Sequence, residues 1–342
     1  MRAYKETEGG ITINLFRPGD APGVAALFRA VYGEGYPVKY YYDPIQLNES
    51  VARQDTLVIV ARTGEGEVAG AVSLFRSAPN PRIYEIGAGL VLPQYRNLGI
   101  NARLFDFIFG GEEVRRRFSL DALWGEAVCN HLHLQKTQLR VGAVPMAVEV
   151  DLMPAEAYEK EQSATGRVAS VAGFHIYRTQ PHTIFLPAPY EDALRFLYEG
   201  FPDPRTYQTA SEEPPGEGTR TLLAEHVFDF ASVARVAANS VGRDFADAFS
   251  ALDVRLQGKG THLVQVWVKL TRPEAGWVTE QLRRKGYFLC GVLPRWFEEG
   301  DALLMAKTPG RPNWEGIQLY SDRIKRLFEF VRGDGERARL IS

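Results

Sequence analysis

Cysteine is nearly absent: the chain of 342 residues holds two, Cys129 and Cys290. They stand far apart, with neither a CxxC pair nor a histidine pair close by, so neither a disulfide scaffold nor a zinc site is indicated. Both read as buried thiols that act as small hydrophobes. No run of about 18 apolar residues occurs, and the opening MRAYKETEGG lacks the apolar segment of a signal peptide. The expectation is a soluble, cytoplasmic protein with no membrane segment. An excess of one charge is lacking too. Lys and Arg number 40 against 42 Asp and Glu, a net charge of -2, which leaves no electrostatic footprint for nucleic acid or an anionic membrane surface. A polyanion has to be met by a local cluster. Two familiar phosphate loops are also missing. No G-x-G-x-x-G stands at a strand-to-helix turn, which disfavours a dinucleotide enzyme. LQGKGTH at 256–262 lacks the upstream glycine of a P-loop and runs into a strand rather than a helix.

What is present is apolar patterning, with 45% hydrophobic residues, enough to fill more than one ordinary domain. GITINLFRPGD alternates as a strand, and APGVAALFRAVYGEGY repeats at helical spacing. The aromatic stretch YPVKYYYDP leads into a second helix around 45–53. TLVIVART and VAGAVSLFRS form a hairpin about the turn GEGE, and PRIYEIGAGLVL is a further strand. A helix is expected over 101–116, then the strand DALWGEAVC, the helix HLHLQKTQLRV stopped by Gly142, and the strand AVPMAVEVDL. This order predicts an α+β domain with a mixed central sheet flanked by helices, complete by about 154.

The polar stretch PAEAYEKEQSATGRV reads as a connector, so the expected domains are 1–154 and 155–342. In the second, VASVAGFHIY and HTIFLP read as strands, YEDALRFLYEGF as a helix and RTYQTASEEPPGEGTR as loop. TLLAEHVFDF is a strand, ASVARVAANSVGRDFADAFSAL one long helix, HLVQVWVKL a strand, PEAGWVTEQLRRKG a helix, and YFLCGVLPRWF and DALLMAKT strands. LWGEAV…KTQLRVGAVPMAVEVDLMP and VQVWVKL…TEQLRRKGYFLCGVLPRWF share the order strand, basic helix end, Gly, apolar strand and proline. The second half is thus a partial repeat of the first, a smaller α+β unit.

One stretch carries chemistry. In VLPQYRNLGIN a strand ends at Pro93, which has no N–H for a ladder, and a helix follows. The first N–H groups of a helix have no internal partners and carry partial positive charge. Gly99 lets the backbone approach a diphosphate, and Arg96 adds a charge-assisted bond. The same residues also read as a plain helix N-terminus with a solvated arginine. The second half has no counterpart of Arg96 and Gly99.

In its context, after a hairpin and strand and before a strand, helix, Gly and strand, VLPQYRNLGI resembles the GCN5-related N-acetyltransferase (GNAT) family. The motif of that family is Q/R-x-x-G-x-G/A after a V-x-P-x-Y/F strand end. LFRPGD resembles the opening strand of the family, and the likeness runs over roughly residues 11–154. The second half resembles only the C-terminal part of such a fold. The resemblance implies acetyl-CoA as cosubstrate. Arg96, Asn97, Leu98, Gly99, Ile100 and Asn101 would cradle the pyrophosphate, and the backbone of Leu90 and Val91 would pair with the pantetheine arm. Asn101 departs from the motif, where Gly or Ala is usual, and is expected to cap the helix instead.

Acetyl transfer to an amine needs an acceptor for the amine proton and a donor to the leaving thiolate. Strand alternation places Glu85, Gly87, Gly89 and Val91 on one face. The resemblance makes Glu85 the candidate general base, directly or through water; a surface carboxylate is the plainer alternative. Where the family places a tyrosine as acid, this chain has Gln138. His131 is the alternative acid, with His133 beside it, and Asn130 resembles an asparagine near the cofactor. Cys129 has no evident activating base as an acyl acceptor. Tyr36 and Tyr40, with Tyr41 and Tyr42, either line the acceptor site and stack on a cationic amine or pack the core. The expected function is an acetyl-CoA-dependent N-acetyltransferase acting on a small-molecule amine by direct transfer in a ternary complex. The alternative is a non-catalytic module that binds acetyl-CoA as a sensor. No metal and no nucleic acid are expected; the second unit either closes the site as a lid, supplies a homodimer surface or covers a sheet edge.

Overall fold

A computed structural model describes residues 10–155 and 166–341; most of the expected polar connector lies outside the described residues. The chain divides into two compact units, Met1–Gly125 and Glu126–Ser342, a division that falls ahead of position 154. None of the described helices is long and apolar enough to cross a membrane.

The first unit runs β1 (Thr12–Leu15), α1 (Ala21–Tyr32), α2 (Pro44–Ala52), β2 (Thr56–Arg62), β3 (Val68–Phe75), β4 (Ile83–Val91), α3 (Ile100–Gly110), α4 (Glu112–Arg117) and into β5 (Ala122–Val128). Strands β1 to β4 pair antiparallel in chain order. β4 and β5 pair parallel, from Ile83↔Ala122 to Glu85↔Trp124, because α3 and α4 carry the chain back across the sheet. The sheet is mixed, the α+β class that the patterning predicts. Asp43 begins α2, its carboxylate accepting from the N–H groups of Ile45 at 2.9 Å and Gln46 at 3.3 Å, with Pro44 in the first turn. Val58, Val60, Ala71 and Leu90 form one apolar face, covered by Val24, Leu27 and Phe28 of α1 and by Tyr41. The helix expected over 101–116 is two helices. Gly111 between them is extended, and a Cβ there would lie 2.5 Å from the carbonyl oxygen of Phe107.

The β3–β4 ladder contains an irregularity that changes the reading of β4. Ala71 pairs with Leu90 and Ser73 with Gly87, so an extra residue is inserted in β4, and Ala88 has a φ of 49°. One extra residue reverses the alternation beyond it. Glu85 and Gly87 lie on the face of Phe75 and Ser73, while a Cβ at Gly89 would point to Val72 and α3. Glu85, Gly87, Gly89 and Val91 therefore do not share one face, as strict alternation predicts.

The second unit contains α5 (His133–Arg140), β6 (Val144–Met153), β7 (Val168–Ile176), β8 (His182–Leu186), α6 (Glu191–Tyr198), β9 (Arg205–Thr209) and β10 (Leu222–Phe228). It continues with β11 (Val233–Ser240), α7 (Phe245–Gly258), β12 (Leu263–Lys269), α8 (Ala275–Arg283), β13 (Phe288–Phe297), β14 (Gly300–Lys307) and α9 (Asp322–Arg339). Its sheet has the order β7-β6-β13-β14-β12-β11-β10, and β8 and β9 form a separate parallel pair. Cys129, just past β5, donates its N–H to Ala169 on β7 at 2.8 Å, and β7 pairs with β6, so the sheet expected to be complete by about 154 continues into β7. The expected long helix over 231–252 is instead β11, parallel to β12, followed by α7. β9 occupies the start of the expected loop. The succession β5, α5, β6 recurs as β12, α8, β13, and each helix is followed by a left-handed glycine, Gly142 at φ 75° and Gly286 at φ 83°.

Candidate functional site

The site in the first unit begins where β4 ends. Leu92 is buried, Pro93–Tyr95 make a single 3-10 turn, and the chain then passes through Arg96 to Gly99 before α3 starts at Ile100. Asn97 and Gly99 both have left-handed backbones, φ 66° and 69°. Asn tolerates this conformation through local hydrogen bonding, and Gly adopts it without a steric penalty. Gly99 caps α3, no side chain caps its N-terminus, and the first intrahelical bond runs from the N–H of Arg103 to the carbonyl of Gly99 at 3.1 Å. Among the described residues, no N–H from Asn97 to Ala102 meets an acceptor. These orphan donors stand beside the exposed Arg96, whose guanidinium has no ion pair among the described residues. A Cβ on Gly99 would find nothing within 4 Å. The turn is open, electropositive and unobstructed, so it fits a diphosphate.

Asn101 does not cap the helix. It is one residue inside α3, and its Oδ1 lies 3.6 Å from where a Cβ of Gly89 would stand. Its side chain thus rests on the irregular part of β4, on the face turned to α3. Ile100 is buried, and Leu98 is 56% exposed. Leu90 is buried in the core face, and Val91 is half-buried; the backbone of both pairs with β3.

At the other end of β4, Glu85 is half-buried and looks toward the tyrosines. The ring of Tyr36 packs on Phe28 at 5.0 Å, Tyr32 at 5.0 Å and Tyr41 at 5.7 Å. Its N–H donates to the Tyr42 hydroxyl at 2.9 Å. Burial, then the neighbouring Tyr32 and the Glu85 carboxylate, raise the Tyr36 phenol well above its usual range, so it remains a neutral hydroxyl. Tyr40 has a different part: its hydroxyl and Thr56 Oγ1 are 2.7 Å apart, and Ser50 donates to the same Thr56 oxygen at 3.1 Å. Tyr41 is 1% exposed and stacked on Phe28 at 4.2 Å. Tyr36 lies within electrostatic reach of Glu85, whereas Tyr40 and Tyr41 are held in packing and hydrogen bonds.

Asn130, His131, His133 and Gln138 lie in the second unit. Asn130 is buried, and its carbonyl accepts from Gln318 Nε2 at 3.0 Å. The rings of His131 and His133 are 5.3 Å apart. Gln138 turns its amide onto β7, donating to the Val171 carbonyl at 3.4 Å and filling the space over Gly173. Cys129 is fully buried, and burial pushes its thiol up to about 12, which removes it as a nucleophile. The sequence reading missed the extra residue in β4 that sets Glu85 apart from Gly89. The adjacent glycines on either side of Ala88 were its one signal.

No family model matches the chain, and no curated protein matches it. Similar solved structures are acetyltransferases, and the similarity covers about half of this chain. A dodecameric spermidine N-acetyltransferase from Vibrio cholerae is 13% identical, with 49% of this chain and 94% of that chain covered at a TM-score of 0.39. A ribosomal-protein-S5-alanine acetyltransferase from Vibrio fischeri is 14% identical over 49% of this chain and 93% of that chain, TM-score 0.38. A Desulfovibrio desulfuricans protein assigned to the GNAT family is 14% identical over 48% and 98%, TM-score 0.37.

Proposed function

We propose that this chain is an acetyl-CoA-dependent N-acetyltransferase of the GNAT type, passing an acetyl group directly to an amine. The observation that carries this reading is the open turn after β4, with acceptor-free N–H groups from Asn97 to Ala102 beside Arg96, on the same strand as a carboxylate at Glu85. On this reading the turn holds the diphosphate of acetyl-CoA, Gly99 keeps the approach clear, and the backbone of Leu90 and Val91 follows the pantetheine arm.

The reaction needs a neutral amine. Glu85 takes the ammonium proton, directly or through water. The amine nitrogen then bonds to the thioester carbonyl carbon, the C–S bond breaks, and the second nitrogen proton passes to the CoA thiolate as it leaves. Gln138, where the family places a tyrosine, has no labile proton to return to it. Tyr36, neutral and within electrostatic reach of Glu85, offers an aromatic face to the incoming ammonium and a hydroxyl to the amine.

Titration calorimetry with acetyl-CoA, followed by an assay of free CoA release over a panel of small amines, tests the reading. Binding and turnover are expected, with Glu85→Gln lowering kcat by roughly 10²–10⁴-fold while acetyl-CoA affinity holds. Binding without turnover on any amine marks the sensor module instead. Absence of binding removes both.

A further inference from the structure

The second unit holds a cavity that the acetyl-transfer reading does not use. The parallel ladder of β11 and β12 ends at Ala238↔Val268. Each strand then continues with its outer neighbour, Ser240 with Leu222 on β10 and Lys269 with Ala302 on β14. The two strands therefore part at their carboxyl ends, where sheets containing parallel strands commonly hold ligands. A cavity of about 230 Å³ occupies this fork, with Thr219, Asn239, Ser240, Lys269, Arg272 and Glu274 among its walls and Val241, Val268 and Val278 as its apolar side.

A nucleotide-bearing ligand does not fit here, because the strand-to-helix turn at 241–244 is already covered. Gly242 donates its N–H to Thr221 Oγ1 at 3.0 Å, and a Cβ on Gly242 would lie 2.1 Å from the Thr219 carbonyl oxygen. Thr221 donates to Asp244 Oδ1 from its N–H at 3.1 Å and its hydroxyl at 2.6 Å. Arg243 Nε donates to the Pro215 carbonyl at 3.1 Å. A ligand of the fork is therefore small.

The wall charges define the class. Lys269 is committed, its Nζ 2.6 Å from Glu299 and 4.8 Å from the centre of the Phe297 ring. Arg272, exposed and with its charge also acting on Glu299, and the half-buried Glu274 have no side-chain ion pair or hydrogen bond among the described residues. A simple anion would meet Glu274, and a simple cation would meet Arg272; a ligand carrying both charges satisfies both groups. We propose that the fork between β11 and β12 binds a short zwitterion of the α-amino acid class. Its carboxylate lies on Arg272, its ammonium on Glu274 and its side chain against Val241, Val268 and Val278.

Calorimetry on the full chain with L-alanine, L-serine and L-valine tests this, with propionate and isobutylamine as single-charge controls. At least one amino acid should bind, at least about tenfold more tightly than either control. R272Q and E274Q should each weaken that binding by about tenfold or more, with unchanged melting temperature and unchanged acetyl-CoA affinity. No binding of any of the three at about 10 mM, equal binding of a control, or full affinity in R272Q overturns the proposal.

Discussion

Gly99 is the residue at which the diphosphate reading is most exposed to test. Its φ is 69°, and a Cβ there meets nothing within 4 Å. Any side chain at this position therefore pays for the left-handed backbone but not for a clash. That backbone term is about 1–2 kcal/mol for an L-residue and is common to Gly99→Ala and Gly99→Glu. The two variants differ in charge. A carboxylate about 6 Å from one phosphate charge costs 332/(εr), which is about 0.7 kcal/mol at ε near 80 and about 3 kcal/mol at ε near 20. Gly99→Glu should thus bind acetyl-CoA roughly 3- to 100-fold more weakly than Gly99→Ala, and the gap should narrow as salt screens it. Thermal melts should show the two variants destabilised alike, while calorimetry at low and high salt separates their affinities. Equal acetyl-CoA affinity in folded Gly99→Ala and Gly99→Glu would refute the assignment of this turn to a diphosphate.

The remaining predictions concern buried charge and thiols. Glu149 is buried, and desolvation together with Glu126 lifts its carboxyl to about 7, against the pull of Arg235 and the Gln265 amide. The unfolded chain releases that proton near the ordinary glutamate value of 4.5, so stability falls as pH rises between these values, by about 3 kcal/mol in all. Urea titrations from pH 4 to 8 should show that fall in the wild type and not in Glu149→Gln; parallel profiles would contradict it. Asp20 and Arg62 form a buried ion pair, with Arg62 Nε 2.7 Å from Asp20 Oδ1, so Asp20→Asn should cost about 3–5 kcal/mol in urea unfolding. A loss under about 1 kcal/mol would show that the pair behaves as a solvated one. Cys129 and Cys290 are buried with raised thiols. Mass spectrometry should find neither labelled by iodoacetamide in the folded protein and both labelled in urea; rapid labelling of folded Cys129 would reopen its candidacy as an acyl acceptor.

Much of the first unit was legible because its signals are local. The hairpin of β2 and β3, the Asp43-Pro44 start of α2 and the proline that ends β4 each follow from a few neighbouring residues. The second unit was less so. In VARVAANSVGRDFADAFSAL, the residues Val233, Val236, Ala237 and Val241 satisfy helical spacing, and Phe245, Phe249, Leu252 and Leu256 continue it. Both periods fit the first half of this stretch, and only pairing with β10 and β12 decides for a strand. α9 went unread, although Ser321 accepts from the Ile324 N–H and Ile324, Leu327, Val331 and Ala338 form its buried stripe. Gly333 and Gly335 lie inside it, and packing overrides their low propensity; Gly335 sits against Trp314. At the candidate site, the residue types of the turn were readable, but the direction of Glu85 was not. One inserted residue in β4 reverses a face, and alternation alone carries no sign of it.

Two of the strand-to-helix turns that follow a parallel strand, those after β4 and β11, show why the motif cannot be separated from its surroundings. Both end a strand, both contain glycine and arginine, and both open a helix. In the first, the N–H groups from Asn97 to Ala102 are left to solvent or ligand; in the second, Gly242 is satisfied by Thr221, and Arg243 is drawn to the Pro215 carbonyl. An orphan donor in water loses little, since water bonds it, whereas a donor already paired within the chain must give up that bond before it can bind phosphate. The segment 215–221 therefore acts on the second turn as a competitor at fixed, high effective concentration. On the proposed reading, this competition, more than the presence or absence of an arginine, would confine a diphosphate to the first turn and leave the fork between β11 and β12 to something smaller.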